Sequence, residues 1–364
     1  MNLKYGIASP STITRMLNGI DEELALYAFM EWIGEIVESR NTHLAIDGKA
    51  LCGATEKTKG ETTPMLLNVV ETVRGLILAQ LPVDSKTNEI TAIPELLKLL
   101  DISGSIVTID AVGTQTAIME QIHEQGGHFV LTVKKNQPEA YEEIHTFMDK
   151  LGAEDLKRKK GEAMDPGMKE FLEKYEEISQ MEKNRDRNEY RTCQICKDAS
   201  NLTKSQKEWP HVQSIGRIKQ VRIPKEKDSQ GNDVTPSKEE FLEKGSRRIP
   251  APSAGEGAGK DVQCTALISD LILTAEELGS IKRMHWSIEN RLHHVLDDTF
   301  REDRSPAKKS RNNLALIRKY AYNILRLAMH ETGITNIMTE MMDCFCDNAD
   351  LREQYVFKGI AGLY

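Results

Sequence analysis

The stretch of sequence that decides the fold is residues 105–133, SIVTIDAVGTQTAIMEQIHEQGGHFVLTV. Its first six residues are an apolar run of the buried-strand type that ends in Asp110, and residues 114–125 carry the apolar spacing of a helix. Gly126 and Gly127 are residues that commonly end a helix. The apolar run at 128–133 then predicts a second strand. A strand, a helix and a strand in this order indicate an α/β arrangement.

The residues upstream of this stretch extend the same sheet. A short apolar run at 43–47 is followed by β-rich runs at 65–73 and 76–83, and Arg74-Gly75 between them suits a hairpin. Residues 93–100, with a proline near their start, are typical of a helix. The element order β, β, β, α, β, α, β predicts a mixed sheet flanked by helices.

We predict four parts along the chain. They are a short N-terminal helical segment, the first part of the core, a β-rich insertion and a C-terminal helical part, at residues 1–42, 43–180, 181–274 and 275–364. Residues 224–260, within the insertion, are rich in Lys, Glu, Ser, Gly and Pro and lack apolar periodicity. That composition predicts a flexible loop.

Composition and charge limit the classes of protein to consider. Of 364 residues, 39% are hydrophobic and 29% charged, which is typical of globular proteins. No apolar run approaches the roughly 18 residues of a spanning helix, and no signal pattern opens the chain, so we predict a cytoplasmic protein without a membrane partner.

The net charge of −8 argues against DNA binding when taken alone. Residues 301–326, however, hold eight basic and two acidic residues, which suits either a solvated helix face or a phosphate-binding surface.

Six cysteines are too few in a chain of this length for a disulfide framework. Cys193 with Cys196, and Cys344 with Cys346, leave a zinc site open as an alternative. The first pair lies in an alternating, strand-like run, and the spacing is poor for zinc. Ordinary reduced thiols are therefore the favoured interpretation.

Three acidic residues stand at positions where chemistry is possible. Asp47 and Asp110 each follow an apolar strand and precede small residues, although an aspartate there is often only a turn residue. Glu289 lies in a predicted helix, residues 282–296, at the edge of its buried stripe. A solvated helix glutamate is the ordinary alternative for that position.

Taken together, the three carboxylates have a chemical rationale. Phosphodiester cleavage needs an activated water or 3′-hydroxyl and a stabilised leaving oxygen, which two Mg²⁺ (or Mn²⁺) ions about 4 Å apart supply. Such ions prefer a few carboxylate oxygens from rigid elements. The sequence contains no strong phosphate-loop, dinucleotide-binding or Ser-His-Asp pattern that competes.

Several blocks in a fixed order add a family resemblance. They are LAIDGK at 44–49, IVTIDAVGTQ at 106–115, GHFVLTVKKNQ at 127–137, RNEYR at 187–191 and HWSIENRLHHVLD at 285–297, continued by FREDRS at 300–305 and NLALIR at 313–318. The chain resembles DDE-type insertion-sequence transposases, in the branch of the ISAs-type, H-repeat-associated proteins.

The resemblance implies an RNase H-like catalytic core with a β-rich insertion before the third carboxylate. It implies that Asp47, Asp110 and Glu289 are the catalytic and metal-binding triad, with 63 and then 179 residues between them. The expected activity is cleavage and strand transfer of insertion-sequence DNA. The expected partners are transposon ends and target DNA, bound by a homo-oligomer on paired ends in the bacterial nucleoid.

Basic and polar residues beside these motifs are candidates for DNA contacts. They are Lys49, Lys134, Lys135, Gln137, Arg301, Arg304, Lys308, Lys309 and Arg311. Trp286 is a candidate for base stacking, with packing in the core as the alternative.

The chain departs from the family pattern in two places. Related branches carry Arg four residues before the glutamate and Lys seven after it, where this chain has His285 and Leu296. The family's N-terminal region is longer than the 46 residues before Asp47, so a truncated and inactive copy is one expectation. Other third carboxylates remain open at Asp297, Asp298, Glu302 and Asp303. Two further hypotheses are a copy that binds DNA without cutting it, and an RNase H-fold nuclease for junctions or RNA–DNA hybrids.

Overall fold

The computed structural model describes most of the chain, at residues 8–54, 63–83, 89–183, 187–202, 209–224, 226–227, 233–234 and 262–357. The chain folds as two compact units. Unit 1 comprises Met1–Gly113, Gln121–Gly127 and Arg283–Tyr364, and unit 2 comprises Thr114–Glu120 and His128–Lys282. The four predicted parts stay a prediction.

The strands and helices follow in chain order. The described strands are β1 His43–Ala50, β2 Met65–Glu71, β3 Leu76–Val83, β4 Ile106–Ile109, β5 His128–Val133, β6 Tyr175–Lys183, β7 Arg187–Cys196, β8 Ser214–Pro224, β9 Glu226–Lys227, β10 Asp233–Val234 and β11 Val262–Ser269. The described α-helices are α1 Pro10–Gly19, α2 Glu22–Gly34, α3 Glu89–Lys98, α4 Thr116–Glu124, α5 Pro138–Lys160, α6 Lys169–Glu173, α7 Ala275–Ile288, α8 His294–Asp298, α9 Arg311–Thr332, α10 Met338–Asp347 and α11 Ala349–Arg352. None of these helices is long and apolar enough to cross a membrane.

Unit 1 is built on a mixed sheet in the order β3-β2-β1-β4. The chain turns from β2 to β3 at Gly75, whose φ of +74° suits a residue without a side chain. β1 pairs antiparallel with β2 and parallel with β4. The predicted mixed sheet flanked by helices is therefore confirmed.

Two separate helices, α1 and α2, form the N-terminal segment that the sequence predicted to be helical. The break has a local cause, because the Asp21 carboxylate accepts from the N–H groups of Glu23 and Leu24 at 3.1 and 3.0 Å and so starts α2. Helix α1 ends at Gly19, and the extended residues Ile20 and Asp21 separate it from α2.

Helix α9 is fixed to the sheet and to α2 within unit 1. Its Asn323 side chain donates to the Ile77 carbonyl at 2.8 Å and accepts from the Ile77 N–H at 2.9 Å, so a fully buried amide satisfies the backbone of β3. Its Tyr320 ring packs against Phe29 and Trp32 of α2, with centroids 4.7 and 5.0 Å apart. These contacts position a helix that also supports the candidate site.

Unit 2 carries an antiparallel sheet in the order β5-β11-β8-β7-β6. The strands β6, β7, β8 and β11 precede α7, which confirms the predicted β-rich insertion before the helix of Glu289. Of the predicted loop 224–260, the structure describes residue 224 and the pair β9 and β10, while the remainder lies outside the described residues.

Candidate active site

The register of two parallel strands brings Asp47 and Asp110 to one edge of the unit 1 sheet. The β1–β4 pairing ends with Ile46 opposite Ile109, and each aspartate is the next residue along the chain. Both side chains are half-buried. One feature differs from the prediction, which ended the first strand at Asp47. β1 continues to Ala50, because β2 pairs with it over three more residues.

Glu289 lies where a helix changes its winding. The predicted continuous helix 282–296 is interrupted by a π-helical segment, Glu289–His293, between α7 and α8. The N–H of His294 donates to the carbonyl of Glu289, and the Tyr322 hydroxyl of α9 donates to the carbonyl of Arg291 at 2.9 Å. The Glu289 side chain is exposed. Wide turns of this kind are common at functional sites, where they set the direction of a side chain.

A buried polar chain ties α7 to the sheet. The Thr108 hydroxyl of β4 lies 3.0 Å from Nδ1 of His285 and 3.1 Å from Nε2 of His43. Burial lowers the pKa of His43 to about 4, so that ring is uncharged at neutral pH. His285, at the position where related branches carry Arg, therefore links the helix of Glu289 to the strand that leads to Asp110.

The electrostatics of Asp47 reveal which acids share its surroundings. The pKa of Asp47 is raised from 3.8 to about 6, and burial is the largest cause. The N–H of Gly48, 3.0 Å from Oδ1, opposes the rise, while the negative charges of Asp110, Glu89 and Glu289 contribute to it. Two of the acids selected from the sequence, Asp110 and Glu289, thus act on the third, Asp47. Glu89, at the start of α3, is a fourth acid that the sequence analysis missed.

Two buried polar atoms beside Asp47 have no hydrogen-bond partner. His293 places Nδ1 3.7 Å from the Asp47 carboxylate, and its Nε2 is buried and unpaired. Burial, with the charges of Lys49 and Lys319, lowers the pKa of His293 to about 4, so the ring is neutral. Asn68, the register partner of Asp47 on β2, is fully buried, and its Oδ1 is also unpaired. The neighbouring His294 is exposed and does not share this setting.

The donor chemistry of this edge fits a divalent ion. Carboxylate and amide oxygens are ligands that Mg²⁺ prefers, and a cation offsets the repulsion that raises the pKa of Asp47. Among the residues that the structure describes, no three His, Cys, Asp or Glu side chains are already grouped as a metal cage. Cys193 and Cys196 are buried free thiols, and burial raises their pKa to about 12 and about 11.

Lys49 is buried, so its side chain is not available at the surface to contact DNA. Its Nζ lies 2.5 Å from Asp297, 3.6 Å from Glu302 and 3.7 Å from Asp303, and 5% of its side chain is exposed. These acids raise the pKa of Lys49 although burial opposes the shift. Three of the four alternative third carboxylates therefore neutralise Lys49, which favours Glu289 over them for the triad. The fourth, Asp298, is exposed.

The other candidates for DNA contacts are mostly at the surface of their own unit. Exposed side chains belong to Lys134, Lys135, Arg301, Arg304, Lys308 and Lys309. Gln137 is half-buried and donates to the carbonyl of Thr114, and Arg311 is half-buried.

The basic stretch 301–326 is not one solvated face, because Lys319 is fully buried and burial lowers its pKa to about 8. Trp286 is half-buried. The DNA-binding roles stay predictions.

The family of the chain follows from comparison with known proteins. The model of the Transposase DDE domain family matches residues 38–324, a range that contains all three acids of the triad. The chain belongs to this family. This confirms the resemblance drawn from the sequence blocks, and membership implies dependence on divalent metal ions in general.

Relatives of this DDE transposase place it in the H-repeat branch. It is 28% identical over 329 residues to YhhI of Escherichia coli strain K12, named as a candidate H repeat-associated transposase, and covers 75% of that protein. It is 28% identical over 324 residues to YncI of Escherichia coli O157:H7, a candidate transposase, and covers 71% of it. These alignments include 89% and 88% of the present chain.

Among solved structures, the chain is similar to a piggyBac transposase in a synaptic complex with hairpin DNA. The TM-score is 0.39 and the identity 11%, with 97% of this chain and 61% of the other covered. The chain therefore spans less than two thirds of that transposase, and a similarity at this score carries no argument about function.

Proposed function

We propose that this DDE transposase cleaves the ends of insertion-sequence DNA and joins them to target DNA, with Asp47, Asp110 and Glu289 as its catalytic acids. The observation that carries the proposal is the parallel register of β1 and β4, which brings Asp47 and Asp110 to one sheet edge. The charges of Asp110 and Glu289 both raise the pKa of Asp47 there. A bound cation would compensate for this repulsion, and shifted carboxylates of this kind are common at functional sites.

Each acid has a defined part in this proposal. Two Mg²⁺ or Mn²⁺ ions, when bound, would activate the attacking oxygen and stabilise the leaving oxygen of the phosphodiester. Asp47 and Asp110, on adjacent strands, would hold the ions at a fixed place in the sheet. Glu289 would complete the ligand set from the π-helical segment, whose geometry Tyr322 supports. The neutral ring of His293 would orient the Asp47 carboxylate without competing as a cation.

The DNA partner is also a proposal, and a local cluster of exposed basic residues in unit 1 supports it. Arg301, Arg304, Lys308 and Lys309 are exposed and follow the segment of Glu289 in the chain. Basic side chains there would neutralise phosphates and position a strand without reading its sequence. We expect binding to transposon ends and to target DNA, with weaker binding as the salt concentration rises, and a homo-oligomer on paired ends.

The test is strand nicking of a supercoiled plasmid that carries the ends of the element, with Mg²⁺ or Mn²⁺. Asp47→Ala and Glu289→Ala should abolish nicking. Asp298→Ala, which removes an exposed acid from the same helical region, should leave it unchanged. If the two triad variants nick as well as the wild-type protein, the assignment is wrong.

Further substrates separate the proposal from other functions of a DDE fold. Tight binding of end DNA by the wild-type protein without nicking under any metal condition would identify a copy that has lost its activity. Cleavage of junctions or RNA–DNA hybrids in preference to element ends would identify a nuclease of another kind. Both results would contradict the proposed transposition chemistry.

A further inference from the structure

Glu89 is an acid outside the triad that shares the same sheet edge. It is the first residue of α3, and its half-buried side chain lies where the start of that helix meets β1. An acid in the first turn of a helix is favourable to the helix dipole. A fully exposed Glu89 side chain would interact with the helix dipole equally well. The helix dipole therefore does not explain why the Glu89 carboxylate lies near other acids.

Glu89 packs against Gly48, which has no side chain to exclude it. A Cβ atom on Gly48 would lie 3.0 Å from Oε1 of Glu89 and 3.0 Å from the sulfur of Met65, closer than ordinary van der Waals contact. The absence of a side chain at the residue next to Asp47 therefore leaves the space into which Glu89 extends. Glu89 therefore reaches the residue next to Asp47 at this sheet edge.

The charges also place Glu89 within the acid group. Burial and the charge of Asp110 raise the pKa of Glu89. The charge of Glu89 also raises the pKa of Asp47. Glu89 thus interacts with both strand aspartates.

We propose that Glu89 is a fourth carboxylate of the divalent-metal site, which strengthens ion binding at Asp47 and Asp110 in the space left by Gly48. This inference rests on the proposed function, because it takes the strand aspartates as metal-binding residues. Glu89 would add a further negative charge beside the two strand aspartates, from the start of the helix that packs against Gly48. A bound cation would offset the repulsion between these carboxylates.

The test measures Mn²⁺ binding by titration calorimetry on the full chain without DNA. Glu89→Gln keeps the side-chain shape and should weaken binding by about 10-fold or more, the effect typical of groups that support a metal site. Glu95→Gln is the matched control, since Glu95 lies on the same helix with 63% of its side chain exposed. It should bind Mn²⁺ as the wild-type protein does.

A second measurement covers folding. In EDTA, Glu89→Gln should melt at or above the wild-type temperature, because the change removes a repulsion. Unchanged Mn²⁺ affinity in Glu89→Gln, or a protein that is unfolded or melts below wild type in EDTA, would overturn the inference.

Asp47→Asn and Asp110→Asn separate the two proposals. If these variants lose Mn²⁺ binding while Glu89→Gln retains it, the inference about Glu89 fails and the proposed site stands. If the aspartate variants also bind Mn²⁺ normally, the proposed metal site itself is wrong.

Discussion

Replacement of Asp47 by Asn should stabilise the metal-free protein, although it removes a proposed catalytic group. The carboxylate has an ordinary pKa of 3.8, which rises to about 6 in the folded chain. Each unit of pKa difference corresponds to about 1.4 kcal/mol, so the ionised group opposes folding by up to about 3 kcal/mol at neutral pH. Because 31% of the side chain remains exposed, solvent screening reduces this figure. We expect Asp47→Asn to raise the free energy of unfolding by about 1–2 kcal/mol at pH 7.5.

The dependence on pH follows from the direction of the shift. Below pH 3.8 the carboxyl is protonated in the folded and the unfolded state, and the variant has no advantage. Between pH 3.8 and about 6 the unfolded state ionises first, so the wild-type protein loses stability as the pH rises. Above pH 6 the difference between variant and wild type should be constant.

The assay is urea unfolding in EDTA, followed by tryptophan fluorescence, at pH 4 and pH 7.5. Trp32 and Trp286 both belong to unit 1 and report on its unfolding. Asp298→Asn, at an exposed position, is the control and should match the wild-type protein. The reasoning is refuted if Asp47→Asn is no more stable than wild type at pH 7.5, or if its advantage is the same at both pH values.

Two further changes test the supports of the site. Lys49→Met should lower the free energy of unfolding by about 3–5 kcal/mol in urea, because it leaves buried acids without their cation, whereas Lys98→Met, in an exposed pair, should change it little. Tyr322→Phe should cost about 1–2 kcal/mol, because it removes the hydroxyl that donates to the Arg291 carbonyl, and it should slow nicking by displacing the π-helical segment. A Lys49→Met protein as stable as Lys98→Met, or a Tyr322→Phe protein with wild-type stability and nicking, would contradict these accounts.

The local pattern of the sequence was sufficient for the sheet and for the two strand aspartates. The apolar periodicity of residues 105–133 predicts a strand, a helix and a strand, and this signal depends only on residues close together in the chain. Asp47 and Asp110 could be placed together because each follows an apolar run, and the parallel register then aligns the two runs. The break between α1 and α2 could also have been predicted from the sequence, because Asp21 is a residue type that commonly caps a helix.

The features that were missed depend on residues far apart in the chain. The π-helical segment at Glu289 has a partner in Tyr322, which is 31 residues from the carbonyl it satisfies. Lys49 is separated by 248 residues from Asp297, so its burial and charge pairing have no local signature. Glu89 has the sequence context of an ordinary first-turn glutamate, and only the folded packing against Gly48 distinguishes it.

The most direct test of the central claim is metal-directed cleavage of the protein itself. Fe²⁺ would replace Mg²⁺ in the full chain, and ascorbate with peroxide would cut the backbone next to the bound ion, with the cuts located by mass spectrometry. We predict cuts near Asp47, Asp110 and Glu289, which excess Mg²⁺ suppresses and Asp47→Asn abolishes. Cuts confined to other segments, or cuts at these segments that neither Mg²⁺ nor the substitution affects, would contradict a shared metal site.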